Sequence, residues 1–166
     1  MQFRQFWQMP SLEKYWKSWN SSGGISMDNH SKEVRSYNMS RIRSTNSKPE
    51  EIVRKYLFRM GFRYRKNVKA LLGCPDIVLP KYKVVIFVNG CFWHMHEGCS
   101  RFVWPSSNQK YWEKKLYGNR HRDKRNIEGL HKQGWRVLVI WECELRKQVR
   151  IATLERLEKD IYSGSI

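Results

Sequence analysis

Apolar residues recur at helical spacing after Ser47-Lys48-Pro49-Glu50, a segment with the composition of a helix start. Ser47 is the expected N-cap, and Glu50, three positions later, is the expected acidic partner of a capping box. Gly61 then marks the end of the helix. The residues on its predicted core face are Ile52, Val53, Tyr56, Leu57 and Met60.

The rest of the chain alternates between short apolar runs and longer amphipathic segments. We predict strands at Phe62–Arg65, Pro75–Leu79 with Asp76 at its entrance, Val84–Val88 and Trp135–Trp141. We predict two further helices. One is capped by Ser106 or Ser107, with Gly118 as a candidate break, and the other spans about Val149–Ile161. This order predicts an α/β domain in which helices flank a central mixed sheet.

The charge composition of the chain indicates what kind of partner it binds. The chain has 166 residues, with 32 Lys and Arg against 15 Asp and Glu, and a formal net charge of +17. Such a surplus favours a polyanion, most often nucleic acid. Neither a membrane-spanning stretch nor a secretory signal is apparent, so we expect a cytoplasmic protein. Residues 1–30 form an aromatic-rich N-terminal extension, docked on the surface or partly disordered, or else a binding arm. Residues 31–166 form one domain.

The stretch Val84–Cys99 carries the densest chemistry. A strand ends at Asn89-Gly90, and Cys91, His94, His96 and Cys99 follow within one loop. Cys143, at the end of another buried strand, completes a Cys3His set suited to structural, tetrahedral zinc. Spacing alone leaves His94 and His96 as alternative ligands, and buried or redox cysteines are the competing interpretation.

Other residues have two interpretations each. Asp76 is a strand-cap carboxylate or a magnesium ligand, and Glu50 is a capping residue or part of the same site. With His94, a metal-bound Asp76 could hydrolyse a phosphodiester. Phe92-Trp93 either packs in the core or wedges between base pairs. The basic run around Asp123, from Arg120 to Arg125, is a solvated helix face or a phosphate-contacting surface.

Several of these segments match a known family. The sequence resembles the very-short-patch repair (Vsr) endonucleases, which nick DNA beside a T:G mismatch left by deamination of 5-methylcytosine. The resemblance spans about residues 31–146. It includes Asn38–Arg43, Pro49-Glu50, Gly73–Asp76, Gly90–His96, Asn119 with Arg122-Asp123, Gly134–Val137 and Trp141–Leu145.

The resemblance implies a restriction-endonuclease-like fold with a structural zinc, and it assigns the residues to roles. Asp76, His94 and Glu50 would be catalytic, and magnesium would be held by Asp76 and the main-chain carbonyl of Val88. The implied zinc ligands are Cys91, His96, Cys99 and Cys143. Met39, Phe92 and Trp93 would wedge into double-stranded DNA, with Arg41, Arg43, Asn119 and Arg122 as further DNA contacts. It also implies a monomer acting on the bacterial nucleoid.

Two positions depart from the family pattern. Asn89 stands where a histidine is common, and Cys74 stands where lysine or arginine is usual and has no expected zinc role. The competing hypotheses are a related nuclease with another DNA target, as in defence or mobile elements, and an inactive zinc-stabilised DNA-binding module.

Overall fold

The computed structural model describes Val34, Tyr37 and residues 45–163. The expected N-terminal extension lies outside this range, and so do Met39, Arg41 and Arg43. None of the helices in the described part has the length and apolar character needed to cross a bilayer.

Residues 45–163 contain three α-helices and four strands. The helices are α1 (Lys48–Arg59), α2 (Gln109–Lys132) and α3 (Arg150–Tyr162). The strands are β1 (Arg65–Lys66), β2 (Ile77–Leu79), β3 (Val84–Asn89) and β4 (Arg136–Trp141). Single 3-10 turns at Pro80–Tyr82 and Glu142–Leu145 follow β2 and β4.

The sheet is mixed and has the order β1-β2-β3-β4. Its first three strands pair antiparallel, whereas β3 and β4 run parallel. Parallel neighbours require a crossover, and α2 supplies it. The mixed α/β architecture predicted from the sequence is therefore confirmed.

The alternating side chains of the strands face two apolar layers. Ile77, Val84 and Ile86 pack with residues of α1 and α3 on one face. Val78, Val85 and Val137 pack with Leu130 of α2 on the other face. Because both faces are covered, the strands are apolar on both sides, which explains their continuous apolar runs.

Local predictions at three places were wrong. The strand predicted at Phe62–Arg65 pairs with β2 only from Arg65 onward. Phe62 is not part of the sheet: it is buried and packs against Tyr82 and Tyr162. Met60 is not a core residue: it lies at the helix C-cap and its side chain is 45% exposed. Helix α2 is capped by Asn108 rather than a serine and continues through Gly118 without a break.

Candidate active site and metal centre

The parallel pairing of β3 and β4 brings the cysteines together. Asn89 pairs with Trp141, so Cys91 and Cys143 follow the two strands at the same edge of the sheet. The loop after β3 adds His96 and Cys99. The ligand atoms of Cys91, His96, Cys99 and Cys143 all lie within 4.8 Å of one another. These residues can hold a metal ion between two distant chain segments.

The imidazole of His96 is fixed within this cluster. Its Nδ1 lies 3.4 Å from Cys143 Sγ, and its ring stacks on Trp141 with centroids 4.0 Å apart and planes at 2°. Burial raises the pKa of the Cys91 thiol to about 12, so this thiol stays protonated unless a cation is present. A bound cation would favour the thiolate and would couple metal binding to folding.

His94 points to a different partner. Its Nδ1 lies 2.6 Å from Oδ2 of Asp123 on α2, and both side chains are half-buried. Because the carboxylate accepts a hydrogen bond, Nδ1 carries the proton and Nε2 is left as the basic nitrogen. Asp123 was missed as a functional residue, although it is the one carboxylate within the basic run Arg120–Arg125. An acidic residue inside such a run was the available signal.

Asp76 lies at the entrance to β2, as predicted. Its Oδ2 accepts a hydrogen bond of 2.8 Å from the Val88 N–H of β3. Burial raises the pKa of its carboxyl to about 6, and the negative charge of Glu50 adds to the increase. The Val88 N–H and the electrostatic effects of Arg54 and His94 lower the pKa but do not offset the burial. Asp76 is thus an acidic group whose pKa responds to Glu50, Arg54 and His94.

The end of β3 brings main-chain atoms to this carboxylate. Val88 lies two residues beyond Ile86, the last residue of β3 that pairs with β2. Its N–H donates to the Asp76 side chain rather than to a strand partner. The N–H and C=O of one strand residue point to the same side, so the Val88 carbonyl faces the side on which Asp76 lies.

Glu50 is buried and fully engaged at the start of α1. Its Oε1 accepts hydrogen bonds from the Ser47 N–H at 3.1 Å and the Ser47 hydroxyl at 2.8 Å. Its Oε2 accepts from the Asn46 N–H at 3.0 Å and from Arg54 at 2.8 Å. Arg54 also donates to the main-chain oxygen of Asp76 at 3.0 Å. Glu50 thus combines a helix cap with a link to Asp76 through Arg54, a link that the sequence did not reveal.

The predicted wedge lies in an aromatic cluster. Phe92 and Trp93 are half-buried and meet edge to face at 5.2 Å, and Phe92 also contacts Trp112 of α2 at 5.3 Å. Asn119 is buried, and its side-chain amide donates to the Trp93 carbonyl at 3.1 Å. Arg122 in turn donates to the Asn119 side chain at 3.3 Å. Helix α2 thus holds the loop that carries both aromatic residues.

Asn89 occupies the position at which the family that the sequence resembles commonly has a histidine. It lies at the end of β3 and lines a depression of about 210 Å³ that also includes His94, Arg120 and Asp123. Arg120 forms an ion pair of 2.7 Å with Glu97 of the metal-site loop. Asn89 therefore adjoins the His94–Asp123 pair, but it supplies an amide rather than a titratable ring.

Comparison with known proteins identifies the family. Residues 27–101 match the family described as DNA mismatch endonuclease Vsr. The chain is 39% identical over 135 residues to DNA mismatch endonuclease Vsr of Escherichia coli strain K12, covering 80% of this chain and 86% of that protein. The chain belongs to the Vsr family. This family of DNA endonucleases was the one suggested by the sequence motifs, and the assignment is confirmed.

Other Vsr relatives carry a different description. The chain is 48% identical over 128 residues to the type II nicking enzyme V.NmeAIP of Neisseria meningitidis, covering 76% of this chain and 91% of that protein. It is also 48% identical over 118 residues to the type II nicking enzyme V.XorIIP of Xanthomonas oryzae, covering 71% of this chain and 86% of that protein. Both names describe enzymes that nick.

Proposed function

We propose that this Vsr-family endonuclease nicks one strand of duplex DNA at T:G mismatches that arise from deamination of 5-methylcytosine. The observation that carries the proposal is the His94–Asp123 pair at 2.6 Å, whose imidazole also acts electrostatically on the half-buried Asp76, in a chain of this family. In the proposed setting the enzyme acts as a monomer in the cytoplasm, on DNA of the bacterial nucleoid.

Asp76 and the main-chain carbonyl of Val88 would hold Mg²⁺. Carboxylate and carbonyl oxygens are the donors that this hard cation prefers, and the main chain of Val88 already contacts the Asp76 carboxylate through its N–H at 2.8 Å. The ion, when bound, stabilises negative charge on the scissile phosphate. Glu50 has both oxygens engaged, so in this proposal it acts as a positioning residue through Arg54 rather than as a ligand.

His94 is the proposed proton-transfer group. With Nδ1 held by Asp123, its Nε2 accepts a proton from the attacking water or assists the leaving group. Asp123 stabilises the imidazolium that forms when Nε2 takes the proton. Water adds to phosphorus while one P–O ester bond breaks, which leaves a nick in that strand.

Zinc is the proposed ion of the Cys3His cluster. Thiolate-rich ligation suits zinc, whose bonds to sulfur of about 2.3 Å place tetrahedral ligands about 3.8 Å apart. The four donor atoms lie within 4.8 Å of one another, which fits such a site. With four protein ligands no coordination position remains open, so this zinc is structural. It would fix the loop that carries His94, Phe92 and Trp93.

The aromatic pair is the proposed basis of mismatch recognition. Phe92 and Trp93 are half-buried rather than fully packed, and their loop is tied to α2 through Asn119. By resemblance, Met39 joins them as a wedge, while Arg41, Arg43 and Arg122 contact DNA. A T:G pair is easier to unstack than a matched pair, so the cost of wedging is smaller there.

A nuclease with another DNA target is the second candidate. Two observations favour it: the relatives named type II nicking enzymes, and Asn89 in place of a histidine beside the catalytic pair. This candidate keeps the same chemistry at Asp76 and His94 but predicts equal nicking of matched and mismatched duplexes.

A nicking assay with defined variants tests the catalytic assignment. Wild-type protein should nick a T:G duplex with Mg²⁺ and should fail to nick it without divalent cations. Asp76→Ala and His94→Ala should lose nicking while DNA binding is largely retained, and the exposed Lys132→Gln serves as the control. Full activity of either active-site variant would refute the assignment, and absence of cutting by wild type would favour the binding-module hypothesis.

A further inference from the structure

A basic depression lies between α1 and the edge strand β1, apart from the wedge and the metal cluster. It has a volume of about 770 Å³. Its lining residues come from both elements and their flanks: Asn46, Glu51, Arg54, Lys55, Phe58, Arg59, Tyr64 and Lys66. Four of these eight are cationic and one is acidic, so the depression is suited to an anionic partner.

Two of the cations have their charge compensated locally. Arg54 is buried against Glu50 at 2.8 Å, and Lys55 pairs with Glu51 at 2.8 Å. Arg59 and Lys66 are exposed, and within residues 45–163 neither forms an ion pair. These two side chains therefore contribute the uncompensated positive charge of the depression.

The depression borders the proposed site of cleavage. Lys66 pairs with Ile77, the residue that follows Asp76. Arg54, at the floor, donates to the main-chain oxygen of Asp76 at 3.0 Å. From Arg54 to Arg59 the helix rises about 7.5 Å, so the positive surface runs away from Asp76 along α1. A DNA strand whose scissile phosphate lies at Asp76 would have neighbouring phosphates within reach of this surface.

We propose that the α1–β1 depression is a second contact surface for the DNA backbone, in which Arg59 and Lys66 bind phosphates flanking the scissile one. The contacts assigned to this surface are to phosphates, which position a strand without reading its sequence. It holds the strand in register beside Asp76. The inference rests on the DNA-cleaving function of the family and is independent of the T:G preference.

Salt dependence of binding measures these phosphate interactions directly. The affinity for a short labelled duplex should be measured at several salt concentrations, without Mg²⁺ so that no cutting occurs. Arg59→Gln with Lys66→Gln should lower the slope of log affinity against log salt by about 2, roughly 1 for each phosphate that the variant no longer neutralises. The matched control is Lys81→Gln with Lys132→Gln, which removes the same charge at the opposite end of the sheet.

Neutral phosphates show where along the DNA these two cations bind. Methylphosphonates placed one at a time along the duplex should weaken wild-type binding at one or two positions next to the scissile phosphate. At those positions the Arg59→Gln, Lys66→Gln protein should show no additional weakening. A salt slope equal to that of the control, or the absence of any coupled position, would overturn the inference. Wild type that binds with the expected slope but never nicks would contradict the proposed function, whereas wild type that nicks while the variant keeps the slope of the control would overturn this inference alone.

Discussion

Replacing Asp76 by Asn should stabilise the protein at neutral pH while abolishing nicking. The pKa of the Asp76 carboxyl is raised by burial from 3.8 to about 6, so the folded state binds its proton more tightly than the unfolded state. The ionised form therefore costs stability: the cost is absent below pH about 4, grows as the pH rises, and is complete above pH about 6. Asn is neutral at every pH and still offers an oxygen to the Val88 N–H.

The size of the effect follows from the change in pKa. A displacement of about 2 pKa units corresponds to about 3 kcal/mol at 1.36 kcal/mol per unit, which is an upper limit for a half-buried group. For a chain of this length the gain in Tm is at most about 6–12 °C. Glu50, Arg54 and His94 stay in place in the variant and continue to set the local charge.

Thermal unfolding in Mg²⁺-free buffer at neutral pH and at about pH 4.5 tests this reasoning. The gain in Tm of Asp76→Asn over wild type should be largest at neutral pH and should shrink at the lower pH. Asp160→Asn, a substitution of the same kind on α3, is the control. No gain at neutral pH, or an equal gain at both values, would show that burial does not destabilise the Asp76 carboxylate.

The other predictions concern the catalytic pair, the metal cluster and the wedge. Asp123→Asn should slow nicking by about 10²–10⁴-fold with DNA affinity unchanged, because His94 loses the carboxylate that orients its ring, whereas Glu128→Gln on the same helix should be neutral. A normal nicking rate for Asp123→Asn would exclude that role. Cys143→Ala should lower Tm and release zinc, because a Cys3His zinc contributes on the order of 10 kcal/mol to folding, and metal content by atomic emission with calorimetry would check it. Retention of stoichiometric zinc by this variant would contradict the ligand set. Trp93→Ala should reduce the preference for T:G over matched duplex by about 5- to 150-fold if stacking contributes about 1–3 kcal/mol, as competition binding with both duplexes would measure. An unchanged preference would place recognition elsewhere.

Local sequence rules succeeded where the interaction is local. The capping box at Ser47 and Glu50 forms as predicted, because its partners are three residues apart and depend only on helix geometry. The strand at Val84 also forms where predicted and pairs with β4. The parallel pairing then accounts for Cys143 joining a loop more than 40 residues away in sequence.

Tertiary packing decided what the sequence could not show. In the sequence, Asp123 is an acidic residue surrounded by a basic run. Only the docking of α2 against the metal-site loop brings its carboxylate to His94. The buried Arg54 connects Glu50 to Asp76, and no feature of the sequence distinguishes it from the other cations of its helix. Gly118 did not break α2, since the tertiary contacts of a long helix outweigh a propensity cost of about 1 kcal/mol.

Strand-resolved nicking of a T:G duplex tests the central claim most directly. Single-turnover rates should be measured with Mg²⁺ on a T:G duplex and on its matched T:A and C:G counterparts, with each strand labelled separately. We expect a cut in the thymine strand of the T:G duplex and slow or no cutting of the matched duplexes. Equal rates on all three would contradict the mismatch-repair function, even if Asp76 and His94 proved essential.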